Sequence, residues 1–504
     1  MEPTEIVLVS LYFLVLGGLC TLGAHRAVTV FLCHKHRRVV ERAQKPLVSF
    51  TESELPRVTV QLPLYNEATV AGRLIEAAGR FDYPKDRLEI QILDDSSDET
   101  RGIAAEKVKE LRARGIDAHY VRRSGREGYK AGALEYGLRS AKGEFIAMFD
   151  ADFVPQASFL RDIVHHFTDK EVGMVQTRWA HMNRDANLLT QIQALMLDGH
   201  HLVENCARFG SGCYFNFAGT GGMWRRKAID DAGGWQHDTL TEDLDLSYRA
   251  QMAGYKFIYR PDIQTPSELP EDLTALRAQQ HRWAKGTVQT ARKLLPVVMK
   301  HEPLTLHQRV EAVFHMLPHF AYPLIMLLGI LLLPALTLLP AADVRTMMLV
   351  DLPLCFGATG SIAAFYAMAE VSQGRSAWGA IKRLPILIGL GAGLSPHLSR
   401  AVWSGMTSMS GEFVRTPKKG EGRIRYRMGA NIPWVESLLA VLCGAAAIAS
   451  VETGHWFATP FCLLFTWGHA YVATLVLKEQ FFPAPEFVGE AAKVLDEPSL
   501  AKAA

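Results

Sequence analysis

The chain has 504 residues, enough for two or three domain-sized units, and its 49% hydrophobic content against 21% charged is high for a purely soluble protein. A formal charge of +2 gives no global field that would hold nucleic acid, and the Lys and Arg residues cluster beside apolar runs instead, a membrane pattern. Seven scattered cysteines without a C-x-x-C pair indicate neither a zinc site nor a disulfide framework, and the globular part is expected in a reducing compartment.

Ile6 to Ala24 is an uncharged stretch of about 19 residues, the length that spans hydrocarbon. His25-Arg26 and His34 to Arg38 follow it, so the positive-inside rule predicts an outside N-terminus and a cytoplasmic chain beyond, and argues against a cleaved signal peptide. From Pro56 to about Pro270, β-rich and helical runs alternate, predicting an α/β, Rossmann-like domain with a parallel-rich sheet covered on both faces. Strands are expected at Val58 to Leu62, Leu88 to Leu93, Ala118 to Val121, Phe145 to Phe149 and Val172 to Thr177. The clearest helices are Ala68 to Arg80, Thr100 to Arg114 and Ser158 to Phe167.

After Val310 the text turns apolar. Ala312 to Ala342 predicts an interfacial turn and one tilted span, and Leu352 to Ala369 a second. Pro385 to Ser399 is only about 15 residues before Arg400, and the parity of the basic loops at Lys382-Arg383 and Arg415 to Arg427 predicts a re-entrant or interfacial segment. Ile432 to Val451 and Thr453 to Leu477 read as a final hairpin, about five spans in all. The expected division is an anchor at 1–40, a cytoplasmic domain at 41–300, spanning and interfacial helices at 301–480 with a cytoplasmic loop at 404–431, and a cytoplasmic tail at 481–504.

In such sheets ligands bind beyond the carboxyl ends of strands, and three predicted ends are unusually polar. Asp150-Ala151-Asp152 puts two carboxylates on one side of an extended segment, able to hold Mg²⁺ or Mn²⁺ against a diphosphate, although surface loops also produce D-x-D. Asp95 can accept hydrogen bonds from a base or ribose, with Asp94 as competitor and helix capping as the plainer role. Tyr65-Asn66-Glu67 either rings a base or turns the chain into a helix. Lys130 is a phosphate contact or a solvated lysine. The glycine-rich turn Phe217 to Gly222 brings backbone N–H groups near a ligand or simply packs. Thr241-Glu242-Asp243 opens a helix with Thr241 as expected N-cap, so Asp243 is either a general base or favourable first-turn charge. On a helix, Gln279, Arg282 and Trp283 share a face, joining a bidentate cation to a stacking ring, or else anchoring an interface. Neither a P-loop nor a dinucleotide fingerprint occurs.

Taken together, Leu62-Pro63-Leu64-Tyr65-Asn66-Glu67, Asp94-Asp95, Asp150-Ala151-Asp152, Thr241-Glu242-Asp243 and Gln279 to Trp283 resemble the family 2 glycosyltransferases, most closely the membrane-embedded cellulose-synthase-like branch that includes bacterial cellulose synthase and plant mannan synthases. The resemblance implies a GT-A type domain set between N-terminal and C-terminal transmembrane helices. It implies Tyr65, Glu67 and Asp95 as donor contacts, Asp150 and Asp152 at the diphosphate and metal, Asp243 as base, Arg282 at the pyrophosphate, and Trp283 at the acceptor sugar; the reading of the residues themselves adds Lys130 to the donor contacts and Gln279 beside Trp283 at the acceptor. Phe413 to Lys418 is similar to the gating loop of cellulose synthases, with Arg415 in place of the expected valine. About 27 residues follow Leu477, too few for the cyclic-dinucleotide-sensing domain of bacterial cellulose synthase.

The expectation is an inverting, multi-pass plasma (inner) membrane transferase. It would move a hexose from a nucleotide diphosphate sugar, of UDP-glucose or GDP-mannose type, with Mg²⁺ or Mn²⁺, to a growing β-linked polysaccharide, coupled or not to its translocation. A lipid acceptor is the alternative. A non-catalytic nucleotide-sugar-binding membrane protein is the third reading, which has no need of Asp243 beside a metal site. No nucleic-acid partner is expected.

Overall fold

Alternation of apolar and polar positions sets the sheet. Val58, Val60, Leu62 and Leu64 of β1 (Val58–Leu64) face one core, while Thr59 and Gln61 point the other way, buried, the Thr59 hydroxyl donating across the strand pair to Glu89 (2.6 Å) and the Gln61 amide N–H to Gln91 (3.1 Å). The computed structural model describes residues 2–339, 359–409, 411 and 433–481. Its other strands are β2 (Leu88–Asp94), β3 (Asp117–Val121), β4 (Phe145–Met148), β5 (Val172–His181), β6 (Gly222–Arg225) and β7 (Lys256–Ser267). They form one sheet in the order β3-β2-β1-β4-β6-β5-β7. All neighbouring pairs are parallel except those that β6 makes with β4 and β5.

The sheet is therefore mixed, with two strands beyond the five expected. β6 is four residues long and begins at glycine, too short to carry a period-2 signal. β7 contains Pro261 and Pro266, which read as strand breakers but are tolerated because β7 is an edge. Strand order reverses between β1 and β4, and the crevice at that reversal is the natural ligand position of such a sheet.

Both faces are covered. The first core packs α2 (Ala68–Ala78) and α3 (Thr100–Ala113), the second α4 (Tyr129–Leu138) and the end of α1 (Pro3–Ala43) through Cys33 and Val40. Further helices are α5 (Phe159–Val164), α6 (Leu188–Gly199), α7 (Asn205–Gly210), α8 (Arg226–Asp231), α9 (Glu242–Met252) and α10 (Leu273–Lys300). Then come α11 (Leu306–Met316), α12 (Ala321–Leu338), α13 (Ser361–Val371), α14 (Ala377–Thr407), α15 (Trp434–Glu452) and α16 (Thr459–Phe481).

Among the described residues, five helices are long and apolar enough to cross a membrane: α1, Pro318–Leu338, α14, α15 and α16. The break at Leu317-Pro318 between α11 and α12 matches the expected turn before a span. The third apolar run differs from the expectation. Instead of a short segment, it lies within the 31-residue α14, about 46 Å long at 1.5 Å per residue, with Pro385 and Pro396 inside it. Counting only uncharged residues cut the run at Arg400, yet helical pairing carries the backbone on to Thr407. Of the expected span Leu352 to Ala369 only the part from residue 359 is described. The loop motif at 413–418 and the tail from 482 lie outside the described residues.

Candidate active site

The polar strand ends converge at the sheet's reversal. Asn66 adopts φ 53°, and its backbone N–H donates to Ser96 Oγ while its side chain accepts from Ser97 N–H, each at 2.8 Å, which ties the β1 and β2 loops together. The Asp94 carboxylate is buried and already used, accepting from Tyr120 O–H at 2.6 Å and Ser96 N–H at 2.9 Å. Asp95 instead reaches the cavity, gripped by the Arg123 fork at 2.8 and 2.6 Å. Of the two acids, Asp95 is the one that lines the cavity. Tyr65 and Glu67 also line the cavity, and the Arg126 guanidinium lies 3.2 Å from the centre of the Tyr65 ring.

At the end of β4, Asp150 meets Lys130 Nζ at 2.5 Å, and the same ammonium donates to the Gly219 carbonyl at 2.9 Å. Lys130 is delivered by the first turn of α4, whose start needs left-handed backbone at Gly128 (φ 67°) and Tyr129 (φ 49°). Burial works against its charge, but Asp150, Glu242 and Asp243 more than offset this, holding its pKa above the ordinary lysine value. Gly219 (φ 81°) is required twice over: its backbone is left-handed, and a Cβ there would stand 2.9 Å from Asp243 Oδ2 and 3.5 Å from Lys130 Nζ.

Asp243 opens α9. Thr241 occupies the N-cap position without capping; its hydroxyl pairs with Thr290 Oγ1 at 2.9 Å instead. Asp243 Oδ1 accepts from Leu244 N–H at 2.8 Å. Desolvation, then the neighbouring Glu242, push the Asp243 carboxyl up to about 7, against the opposing pull of Lys130 and Arg282. A carboxylate so placed can accept a proton near neutral pH.

α10 is pressed onto this turn. A Cβ on Gly286 would come within 2.7 to 3.0 Å of Leu240 and Thr241, and Gln289 accepts from Leu240 N–H at 3.0 Å. The close approach carries Gln279, Arg282 and Trp283, one helix face as expected, into the same cavity. α10 also binds α14 and the residue after it, with Arg292 donating to the Gly405 carbonyl and Gln289 to that of Ser408, both at 2.9 Å. Those bonds couple the site to a candidate membrane span.

All the expected site residues, Tyr65, Glu67, Asp95, Lys130, Asp150, Asp152, Asp243, Gln279, Arg282 and Trp283, line one open cleft. Asp150 and Asp152 offer hard oxygen donors inside it, chemistry that fits Mg²⁺ or Mn²⁺. A separate grouping, Glu89, Asp117 and His119, lies at the opposite, N-terminal ends of β2 and β3, where Arg57 and Lys142 already pair with Asp117. Arg123, Arg126, Trp179 and Glu268 contribute without having been singled out. Arg123 was findable, since Arg122-Arg123 directly follows a strand; the rest arrive from distant segments.

Residues 56–286 match the model of the glycosyltransferase-like family 2. Over 261 residues the chain is 40% identical to probable glucomannan 4-beta-mannosyltransferase 11 of Oryza sativa subsp. japonica, an alignment covering 51% of this chain and 46% of that protein. It is 39% identical over 267 residues to glucomannan 4-beta-mannosyltransferase 2 of Arabidopsis thaliana, covering 52% and 50%. The chain thus spans about half the length of the curated relatives it matches. A mannosyltransferase from Pyrobaculum calidifontis, solved with GDP-Man and Mn²⁺, has a similar fold, with a TM-score of 0.51, 21% identity and coverage of 77% of this chain and 99% of that one.

Proposed function

Residues 56–286 are a family 2 glycosyltransferase domain, and on that premise we propose that the protein is an inverting hexosyltransferase of the membrane that extends a β-linked, mannose-containing polysaccharide from a nucleotide diphosphate sugar. One observation carries the reading: Asp243, with its pKa raised to about 7, shares a cleft with the cationic side chains of Lys130 and Arg282. The names of the plant relatives favour a mannosyl donor of GDP-mannose type over UDP-glucose.

In this reading Tyr65 and Asp95 hold the nucleoside, and Arg282 and Lys130 hold the diphosphate. Trp283 and Gln279 present the acceptor sugar. A hydroxyl of the acceptor attacks the anomeric carbon, its proton passes to Asp243, and the bond from that carbon to the diphosphate oxygen breaks with its electrons leaving on the nucleotide. One displacement inverts the anomeric centre. Arg282 and Lys130 stabilise charge as it develops on the leaving group. Asp150 and Asp152 would hold Mg²⁺ or Mn²⁺, which neutralises diphosphate charge. The domain lies on the cytoplasmic face of the plasma (inner) membrane, with an outside N-terminus.

The test is to incubate purified protein with labelled nucleotide sugars and either cation, then separate lipid-soluble from polymeric product. Polymer formed from GDP-mannose supports the reading. A single glycolipid as sole product replaces the polysaccharide acceptor with a lipid.

A further inference from the structure

We propose that Trp179, at the outer end of β5, is the platform of a second saccharide subsite, which takes an acceptor sugar unit beyond the one presented at Trp283. The inference rests on the polysaccharide reading above and adds a residue that no motif points to.

The cleft changes character along the sheet. On the β3-β2-β1 side its wall is polar and charged, with Arg123 gripping Asp95 and Arg126 lying over Tyr65. Across β4, on the side of β6, β5 and β7, Trp179, Phe153, Leu197 and Leu269 line the same cleft. A nucleotide needs the charged side. A sugar ring, with an apolar C–H face and a rim of hydroxyls, suits an aromatic plane beside planar polar groups. Glu268 and Gln279 supply the latter in the same cleft, the Glu268 carboxylate being held by Arg73 at 2.9 Å.

The indole is set before any ligand arrives. It meets Phe153 edge-on, with centroids 5.3 Å apart and planes at 70°, and tilts against His201 at 5.2 Å. Its Nε1 donates to the Thr220 carbonyl at 3.5 Å, a weak bond, but one to the glycine turn whose Gly219 borders Asp243. Trp179 is half-buried, packing partly against the first core and partly lining the cleft, and it stands on the β5 side, away from Tyr65 at the end of β1. That side leads toward the membrane helices. Leu197 is followed by Asp198, which pairs with Arg375 just beyond α13 at 2.6 Å. A chain growing away from the reaction centre along this wall runs toward the spans.

The test uses the purified full-length protein with labelled GDP-mannose and short unlabelled β-1,4-linked mannose oligomers, comparing wild type, Trp179→Ala and Trp179→Phe. The platform predicts an acceptor KM raised about tenfold in Trp179→Ala, the factor worth ~1.4 kcal/mol. Trp179→Phe should restore most of that loss, while calorimetric GDP affinity stays within about twofold in both. An unchanged acceptor KM in Trp179→Ala, with wild type elongating the oligomers, overturns the subsite alone. Loss of GDP affinity in step with acceptor affinity in both variants makes Trp179 a structural support and also overturns it. Failure of wild type to elongate any oligomer removes the polysaccharide reading itself, and the subsite with it.

Discussion

Two clusters of charge sit deep in this molecule and behave in opposite ways. At the joint between the domain and the helices after it, Arg184 and Arg375 face Asp198 and Glu370, with Arg184 reaching the two acids at 2.8 and 2.7 Å and Arg375 at 2.6 and 2.9 Å. Burial works against the Asp198 charge, but His181, Gln373 and Arg375 more than offset it and hold its carboxyl well below the usual range. In the cleft, Lys130 and Arg282 face Asp150, Asp152, Glu242 and Asp243, and Asp243 rises toward neutrality. The first cluster is balanced and acts as a joint. The second carries an excess of acid, which a divalent cation would complete and which leaves one carboxyl poised to exchange a proton.

The sharpest way to break this contrast is to remove acid from the cleft. Replacing both Asp150 and Asp152 by Ala should abolish metal-dependent donor binding, read by calorimetry with and without Mn²⁺; unchanged metal-dependent affinity would refute the metal site. Asp243→Asn keeps the shape of the α9 start and should lower turnover by roughly 10² or more with little change in donor affinity. Arg282→Lys keeps the charge but loses the fork, costing about 1–3 kcal/mol in transition-state stabilisation; wild-type kinetics would return Arg282 to an interfacial role.

The contrast also marks what could be read from the sequence. The cleft was legible because its carboxylates end apolar strands and its helix face repeats at i, i+3 and i+4, both local signals. Every residue expected there lines it. The joint was not legible, since Arg184, Asp198, Glu370 and Arg375 are brought together only by tertiary packing. The same holds for Arg126 over Tyr65 and for the grip of Gly286 on Leu240 and Thr241. In the fold, β6 was too short to announce itself and β7 was masked by its prolines, so the sheet's mixed half went unseen.

Smaller effects sharpen the comparison. Glu242 helps to raise the Asp243 carboxyl, so Glu242→Gln should move the acidic limb of the rate profile to lower pH, a displacement read from kcat/KM. Asp198→Ala should have the least effect on turnover per folded molecule but lower the thermal midpoint, because two guanidinium groups lose their shared acid. Since the folded pKa of Asp198 is depressed, its stabilisation is present above its ordinary value of 3.8 and is lost as pH falls below that toward the folded pKa. A wild-type protein that loses stability between pH 4 and 3 more steeply than Asp198→Ala would carry that signature.

The central claim is that Asp243 is the base, and the pH dependence of kcat/KM for sugar transfer tests it most directly. Because a base works deprotonated, the rate of the wild type should fall tenfold per pH unit below a pKa of about 7 and level off above it. Asp243→Asn should be slow and lack that limb. A variant that keeps both the wild-type rate and the limb would contradict the account and leave Asp243 as a helix-terminus charge.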